Sequence, residues 1–515
     1  MKRINIIKGI LLTSTVILGV SCTNLDEEVL DGVIVSTTGG GTVNTSSLLT
    51  SAYEGLRGFE TQGQMFALDE MSTDALVGPT RGGDWDDNAT WRQIHVHTWA
   101  PDHVEVRNAW NALLSQVYSC NLVIENGSAA EVTQARFLRA FYYYNVIDLF
   151  GQVPYREAGT AVEDDPKVWT RAEATDFVIS ELEAVMPQLP ARTSANTDFA
   201  NADAAHFLLA KLYLNKGVFK AAAPAGPYTF EAADMTKVVT HVNAINSSLA
   251  DDYWDNFKPS NNTSNEILLS SKNVRGGAGG GIQFFWRMGM HYNQTPDGWN
   301  GFATVAEYYN KFNPNDRRIK NNDAAIITAF GNPTGFQIGQ IYKPGGTEIV
   351  RDRIKNDANP LGQPLKFTKE LTLITSGSTL ESAGVRGQKY IPDSQNLGAP
   401  DNDYVFMRYS DALMMKAEAI ARGGSGTNDV VKLLKIHTRT NTNDITPFPT
   451  TLDGIYLERG KELWWEGWRR NDMVRFGKFL EKRELKPYVS DNKYILFPIP
   501  ADALFNANLK QNPGY

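Results

Sequence analysis

Apolar side chains recur with a helical period in two separate parts of this 515-residue chain. In the first part, the segment TQARFLRAFYYYNVIDLFGQVP places Phe137, Phe141 and Tyr144 on one face. The segment ADAAHFLLAKLYLNKG repeats the pattern with alanines and leucines. This spacing predicts two amphipathic helices, and Gly151 and Gly217 predict where they end.

The second part lies near the C-terminus. The segment VFMRYSDALMMKAEAIARGG predicts a helix with Ala412, Met415 and Ala419 on one face and two glycines at its end. The segment LDGIYLERGKELWWEGWRRNDMVRFG predicts one further helix, with Leu457 and Trp464 on the same side. Because small alanines among large apolar residues let helices approach closely, the two parts together predict stacked helical hairpins.

Between the helical parts the composition changes. Residues 60–108 and 270–400 are rich in Gly, Asn, Asp and Pro, and the stretch RGGAGGGIQFFWRMGMHYNQTPDGWNGF is incompatible with a regular helix. Long irregular segments are uncommon in compact proteins and usually carry function. We therefore expect the functional site in these two segments.

The N-terminus has the order of a secretory signal peptide. Residues 1–8 carry three basic side chains and no acid, residues 9–20 are mostly apolar, and the small residue Ser21 precedes Cys22. The apolar run is too short to span a bilayer, which needs ~20 such residues. Residues 1–21 are therefore predicted to be a cleaved signal.

Cys22 resembles the lipidated cysteine of bacterial lipoproteins, whose thiol is diacylated and which becomes the new N-terminus. Asp26, Glu27 and Glu28 resemble the acidic tag that directs such lipoproteins to the cell surface in the Bacteroidetes lineage. Residues 22–45 would then form a lipidated leash that two or more acyl chains hold firmly at a membrane. An ordinary cleaved signal with an incidental cysteine is the alternative.

Charge and cysteine content exclude other classes of protein. Loss of residues 1–21 would change the net charge from −8 to −11, because that segment holds three basic residues and no acid. A net acidic chain without a long Lys/Arg run is a poor candidate for nucleic-acid binding. Cys120 is the only other cysteine, so the chain has no disulfide framework, and we expect a buried, inert thiol.

Four long motifs, in this order, resemble the SusD/RagB family of surface glycan-binding lipoproteins. They are ARFLRAFYYYNVIDLFGQVP, RYSDALMMKAEA, ERGKELWWEGWRRNDMVRFG and the C-terminal ILFPIPADALFNANLKQNPGY. The resemblance covers nearly the whole chain from Cys22 to Tyr515. It implies an all-α fold, in which a tetratricopeptide-like scaffold of helical hairpins carries an irregular, loop-rich ligand-binding subdomain.

The resemblance also implies an order of domains and a function. An N-terminal helical region at 46–269 would include a binding loop at 60–108, followed by the irregular subdomain at 270–400 and a C-terminal helical region at 401–515. Family members bind an oligosaccharide and act as the lid of a SusC-like TonB-dependent transporter at the outer membrane. They are not enzymes, and no cofactor is expected. Some relatives bind peptides instead of glycans, and that alternative stays open.

Carboxylates in the motif ERGKELWWEGWRRNDMVRFG raise a second alternative, an outer-membrane glycoside hydrolase. Glu462, Glu466 and Arg470 would share one face of the predicted helix. A glycosidase needs two carboxyl groups on either side of the scissile bond, whereas an ion network would only hold helices together. Acids interleaved with arginines favour the network, and therefore a protein that is not an enzyme.

Metal-binding motifs are weak in this sequence. His95 and His97 in RQIHVHTW are expected to share one side of a strand, but no third zinc ligand follows at a convincing spacing. We therefore predict no metal site. The sequence fixes no position for a structural calcium ion, although backbone and Asp oxygens could hold one.

The segment GPTRGGDWDDNATWRQIHVHTW is the first candidate for the ligand site. Sugars present flat patches of C–H groups beside hydroxyls, which an aromatic face and planar hydrogen-bonding groups can bind together. Arg81, Asp84, Trp85 and Trp91 offer both kinds of group within eleven residues. Two adjacent glycines permit a sharp turn that would project Trp85.

The loop HYNQTPDGWNGF is the second candidate, with Asn293, Asp297, Trp299 and Asn300. Arg386 in GVRGQKY could reach the same groove. The alternative is that the tryptophans of these loops fill the interior of the irregular subdomain, because tryptophan is highly buried on average. The tryptophans of ELWWEGW are expected in the helical core.

Overall fold

Stacked helices form the body of the computed structural model, which describes residues 43–157, 160, 165–277, 281–439 and 446–515. The residues from Thr45 to Tyr515 form one compact unit. The predicted signal at 1–21, Cys22 and the leash as far as residue 42 lie outside the described residues. Among the helices of the described part, none combines the length and the apolar character that a membrane span requires.

The α-helices build both the scaffold and small parts of the loop regions. Consecutive helices from the fourth to the eighth pack against one another, the first lies on the fourth, and the twelfth contacts both the eighth and the fourteenth. This arrangement confirms the predicted scaffold of helical hairpins. In chain order the helices are α1 (Thr45–Glu54), α2 (Gln64–Phe66), α3 (Thr90–Val96), α4 (Val104–Asn126), α5 (Ala129–Leu149), α6 (Arg171–Val185), α7 (Ala202–Phe219), α8 (Ala232–Ala244), α9 (Phe284–Arg287), α10 (Ala306–Tyr309), α11 (Ala324–Phe330), α12 (Tyr409–Ala421), α13 (Val430–Thr438), α14 (Leu452–Glu462) and α15 (Arg469–Arg475).

Local signals in the sequence explain where two of the scaffold helices begin. Ser128 precedes α5 and Thr170 precedes α6, and each hydroxyl accepts a hydrogen bond from the backbone N–H three residues later. The glutamates at those positions, Glu131 and Glu173, accept the backbone N–H of the capping residue in return. As predicted, α5 ends just before Gly151, which has φ +76°.

Two helix boundaries differ from the sequence prediction. Helix α7 continues past Gly217 to Phe219. A Cβ atom at Gly217 would lie 2.0 Å from the carbonyl oxygen of Thr229, so this glycine permits a close approach and does not end the helix. Helix α12 begins only at Tyr409, because residues 404–408 form a strand.

The segment LDGIYLERGKELWWEGWRRNDMVRFG forms two helices, so the prediction of one continuous helix is wrong. Residues 463–468 separate α14 from α15, and in that turn Trp465 has φ +57° and Gly467 has φ +76°. A positive φ cannot continue a right-handed helix. Glu462 therefore ends α14, whereas Arg470 lies in α15. The three tryptophans of ELWWEGW are buried, as expected.

Short strands tie the loop regions together. The sixth strand joins the tenth and the fifth in an antiparallel sheet, the fourth pairs with the eleventh, and the first runs parallel to the ninth. The last pairing places the loop after residue 81 beside residues 374–375, within the segment 270–400. In chain order the strands are β1 (Thr80–Arg81), β2 (Val153–Tyr155), β3 (Lys167–Trp169), β4 (Ile267–Ser271), β5 (Lys320–Asn321), β6 (Thr334–Gln337), β7 (Gly339–Gln340), β8 (Lys366–Phe367), β9 (Ile374–Thr375), β10 (Arg386–Gln388) and β11 (Tyr404–Arg408).

Candidate ligand-binding surface

The two loops that the sequence analysis selected meet at the protein surface. The indole Nε1–H of Trp85 donates a 3.0 Å hydrogen bond to the carbonyl oxygen of Trp299. The hydroxyl of Tyr292 donates to Asp84 Oδ2 at 3.1 Å, and the rings of Trp299 and Phe284 lie 5.3 Å apart. Each of these five side chains is exposed or half-buried. We call Asp84, Trp85, Tyr292, Trp299 and Phe284 the aromatic surface.

A tight turn positions Trp85, as the adjacent glycines predicted. The backbone N–H groups of Arg81 and Asp84 each donate to the other residue's carbonyl oxygen, at 2.8 and 3.0 Å, and Gly82 has φ +62°. Trp85 itself has φ +62°. Such a conformation costs a residue other than glycine of order 1 kcal/mol or more and persists only where its surroundings fix it. The fixed conformation here is the one that brings the indole to Trp299.

Trp85 is half-buried, so it is neither a core side chain nor a fully exposed one. Its ring lies 5.0 Å from that of Phe302, and a Cβ atom at Gly301 would lie 2.4 Å from the indole Cε2. Trp91 is buried behind it, with ring centroids 6.2 Å apart, and its Nε1–H donates to Asp87 Oδ2 at 2.7 Å. Trp91 therefore supports Trp85 from the interior.

The second loop presents two of its polar side chains to solvent. Asn293 is exposed, and its amide donates to the carbonyl oxygen of Arg351 at 2.8 Å. Asp297 is exposed and lies 3.5 Å from the guanidinium of Arg287. Asn300 has φ +55° and is buried, and neither of its amide atoms has a hydrogen-bond partner within the described part of the chain. A surface ligand could therefore reach Asn293 and Asp297 directly, whereas Asn300 lies beneath.

Arg81 and Arg386 lie below the aromatic surface. Both guanidinium groups are buried, and burial lowers the pKa of Arg81 to about 9. Arg386 donates to three backbone carbonyl oxygens, including that of Ala383 at 3.1 Å. Arg81 also donates to three, at 2.9–3.2 Å: those of Gly301, Leu380 and Ala383. The two arginines thus hold the loop backbones in place, and direct contact with a ligand stays a prediction for both.

Sequence reasoning missed three side chains at or beside this surface. Tyr292 lies inside the loop that was selected, but only its tryptophan and polar neighbours were considered. Phe284 lies in the apolar stretch IQFFW and supports Trp299. Arg353 lies in a segment without any motif, and its guanidinium is centred 3.8 Å from the Tyr292 ring. An aromatic residue in the selected loop was a usable signal, whereas nothing local indicated Arg353.

The carboxylates of the motif ERGKELWWEGWRRNDMVRFG form the predicted ion network. Glu462 is buried and accepts from Arg408 at 2.6 Å, from Arg318 at 3.3 Å and from Arg439. Glu466 pairs with Arg408 at 2.6 Å. Burial alone would raise the pKa of Glu462, but the charges of Arg439, Arg408 and Arg318 hold it well below the usual range. A general acid needs a raised pKa, so Glu462 is unsuited to that role.

The prediction that His95 and His97 share one side of a strand is wrong. His95 lies in α3, where Trp91, Ile94 and His95 form a buried face with helical spacing, and His97 follows with φ +55°. Nitrogens of both rings lie 2.8–3.2 Å from backbone carbonyl oxygens. In the described ranges, no three His, Cys, Asp or Glu side chains are grouped as metal ligands would be. Cys120 is a buried free thiol, as expected.

Comparison with known proteins gives matches along most of the chain. The family pattern described as "Starch-binding associating with outer membrane" matches residues 30–214, and the pattern of the SusD family matches residues 238–515. The starch-binding protein SusD of Bacteroides thetaiotaomicron is 27% identical, over 94% of this chain and 90% of its own length. The SusD-like protein P25 of Formosa agariphila is 23% identical, over 78% of this chain and 77% of its own.

Solved structures share the fold. A SusD superfamily protein from Parabacteroides distasonis matches with a TM-score of 0.68 and 19% identity, over 92% of this chain and 98% of its own. Surface glycan-binding protein A from Bacteroides thetaiotaomicron, in complex with laminarihexaose, matches with a TM-score of 0.63 and 19% identity, over 91% and 98%. Because the SusD pattern alone spans more than half of the sequence, this chain belongs to the SusD family.

Proposed function

We propose that this protein binds an oligosaccharide at the cell surface through its aromatic surface. The observation that carries the proposal is the hydrogen bond from Trp85 to the backbone of Trp299, which unites two loops into one surface. Aromatic faces can pack against the C–H patches of sugar rings. The exposed polar side chains of Asp84 and Asn293 supply hydrogen-bonding groups in the same two loops.

Relatives support a carbohydrate ligand and a binding role. One relative is named a starch-binding protein, and one solved relative is in complex with laminarihexaose. In this chain the carboxylates closest to a glycosidase pattern are enclosed by arginines, as shown for Glu462. We therefore infer that the protein captures glycans and does not cleave them.

We further propose that Cys22 anchors the protein to the outer membrane, where it acts as the lid of a SusC-like TonB-dependent transporter. The lipoprotein-like N-terminus and the match to a family described as associating with the outer membrane support this proposal. Affinity purification of the tagged protein from solubilised outer membranes should recover a TonB-dependent transporter in equal amount. Recovery of the protein alone would contradict the partnership.

Calorimetric titration of the purified mature protein tests the ligand class. We expect saturable binding of at least one neutral oligosaccharide from a panel that includes laminarihexaose and maltohexaose, without release of reducing ends. Binding of a peptide library in place of every glycan would support a peptide-binding member of the family. Release of reducing ends during the titration would support the hydrolase.

A further inference from the structure

A chain of hydrogen bonds lies directly behind Tyr292 and begins at a buried histidine. The backbone N–H of Asn293 donates to His291 Nδ1 at 3.0 Å, so Nδ1 is an acceptor and the proton of the neutral ring is on Nε2. Nε2 donates to Glu381 Oε2 at 2.7 Å. Burial lowers the pKa of His291 and outweighs the opposing effect of Glu381. The histidine therefore acts as a fixed donor to Glu381.

Glu381, held by His291, in turn fixes the position of Arg353. Glu381 Oε1 accepts from Arg353 Nε at 3.0 Å, and Oε2 accepts the backbone N–H of Arg353 at 2.7 Å. Burial alone would raise the pKa of Glu381, but the hydrogen bonds from His291 and Arg353 lower it to about 2. The carboxylate is therefore ionised at neutral pH and holds both the backbone and the side chain of Arg353.

Arg353 is held by Tyr292 and Glu381, and the rest of its guanidinium is open to solvent. Its guanidinium is centred 3.8 Å from the ring of Tyr292, and its Nε is bonded to Glu381. Its side chain is about half exposed. Within the described residues its hydrogen bonds use the backbone N–H and Nε, and none uses the two terminal nitrogens. A guanidinium presents its donors in a rigid planar fork. This fork is therefore fixed beside the aromatic surface before any ligand arrives.

An exposed carboxylate lies near that fork. Asp84 accepts the hydroxyl of Tyr292, is exposed and has no ion-pair partner among the described residues. An acidic sugar that approached Arg353 would meet this carboxylate as well. A neutral sugar hydroxyl can accept from Arg353 while a neighbouring hydroxyl donates to Asp84. Tyr292 contacts both residues, because its ring lies against the Arg353 guanidinium and its hydroxyl donates to Asp84.

Building on the proposed glycan-binding function, we infer that Arg353 and Asp84 together determine specificity at the aromatic surface: Arg353 donates to neighbouring hydroxyls of a neutral sugar, and the Asp84 carboxylate disfavours acidic oligosaccharides. Glu381 and His291 are positioning residues, which act through Arg353.

Affinity measurements on Arg353 variants test the inference. With the neutral hexasaccharide that binds best in the panel of laminarihexaose and maltohexaose, Arg353→Gln should weaken binding about tenfold or more. Arg353→Lys should fail to restore it, since a single ammonium cannot reproduce the fork. Lys355→Gln, which removes an exposed charge two residues away, is the matched control and should bind like the wild type. Hexagalacturonate should bind the wild type more weakly than either neutral hexasaccharide.

A double-mutant cycle separates positioning from general stability. Glu381→Gln alone should weaken binding, but in the Arg353→Gln background it should cause no further loss. Additive losses would show that Glu381 acts on the fold and not through Arg353. If Arg353→Gln binds normally, or if hexagalacturonate binds best, the inference is wrong while the proposed function stands. If the wild type binds no glycan of the panel, both fail together.

Discussion

Replacing Glu462 with glutamine should destabilise the fold and leave ligand affinity unchanged. Glu462 is completely buried and accepts hydrogen bonds from three arginines: Arg408, Arg439 and Arg318. Glutamine keeps the size of the side chain but removes its negative charge. Its amide N–H groups would also face guanidinium donors, which cannot accept them.

The contacts of the three arginines limit the size of the effect. Removing one partner of a buried ion pair typically costs ~3–5 kcal/mol, because a buried charge remains uncompensated. Here Arg408 keeps Glu466, Arg439 keeps Glu266, and Arg318 keeps its pair with Asp316 at 2.6 Å. Each positive charge therefore retains a carboxylate, and we expect a loss at the lower end, ~3 kcal/mol.

Denaturant unfolding, followed by tryptophan fluorescence, measures this loss against an exposed control. Glu481→Gln makes the same change in a surface pair, where the Glu481 side chain is 56% exposed and lies 3.5 Å from Lys478. Exposed pairs contribute ~0–1 kcal/mol, so the control should unfold near the wild-type midpoint. Calorimetric titration of both variants should give the wild-type glycan affinity.

Two results would refute this reasoning. A Glu462→Gln protein that unfolds at the wild-type midpoint would show that the network adds nothing to stability. A variant that unfolds normally but loses hydrolysis of some glycan would identify Glu462 as a catalytic acid.

Three further predictions concern the aromatic surface, pH and the anchor. Gly301→Ala should weaken glycan binding, because a Cβ atom there would lie 2.4 Å from the indole of Trp85 and must displace it; normal affinity would show that Trp85 contributes nothing. Burial raises the pKa of Glu70 to about 8 from 4.5, so the folded state holds its proton more tightly, and stability should fall as pH rises from about 5 to 8.5. Glu70→Gln should flatten that decline in thermal melting, by at least ~1 kcal/mol, and an unchanged slope would contradict the assignment. Cys22→Ala should release the folded protein from membranes and abolish palmitate labelling, whereas unchanged retention would remove the lipoprotein interpretation.

Helical periodicity predicted part of the scaffold. Helices α5, α7 and α12 have long buried apolar faces and were predicted, whereas α1, α4, α6 and α8 were not. Helix α5 follows this logic from its capping box to Gly151. The break between α14 and α15 was missed because apolar spacing continues across it, although Gly467 with φ +76° marked the place. Gly217 was wrongly predicted to end α7, because this glycine instead permits a close approach of Thr229. Apolar periodicity contains no information on contacts between segments that are distant in the sequence.

Composition located the candidate surface, but it did not assign the side chains within it. Trp85 and Trp299 were selected because each is an aromatic residue with glycines and polar residues nearby in the sequence. The fold brings the two together. Arg81 was selected from the same segment as Trp85. It is nevertheless buried, because its guanidinium donates to carbonyl oxygens of two distant loops. Whether an arginine faces solvent or backbone depends on such long-range packing, which no local pattern contains.

The affinity of the Trp299→Ala variant for the best-bound hexasaccharide tests the central claim most directly. Loss of a central aromatic contact costs ~2 kcal/mol or more, so binding should weaken about thirtyfold while the protein stays folded. Phe505→Ala is the matched control, because Phe505 is 92% exposed in a different segment and should not affect binding. Equal affinities of Trp299→Ala, Phe505→Ala and the wild type would contradict the claim that the aromatic surface binds the glycan.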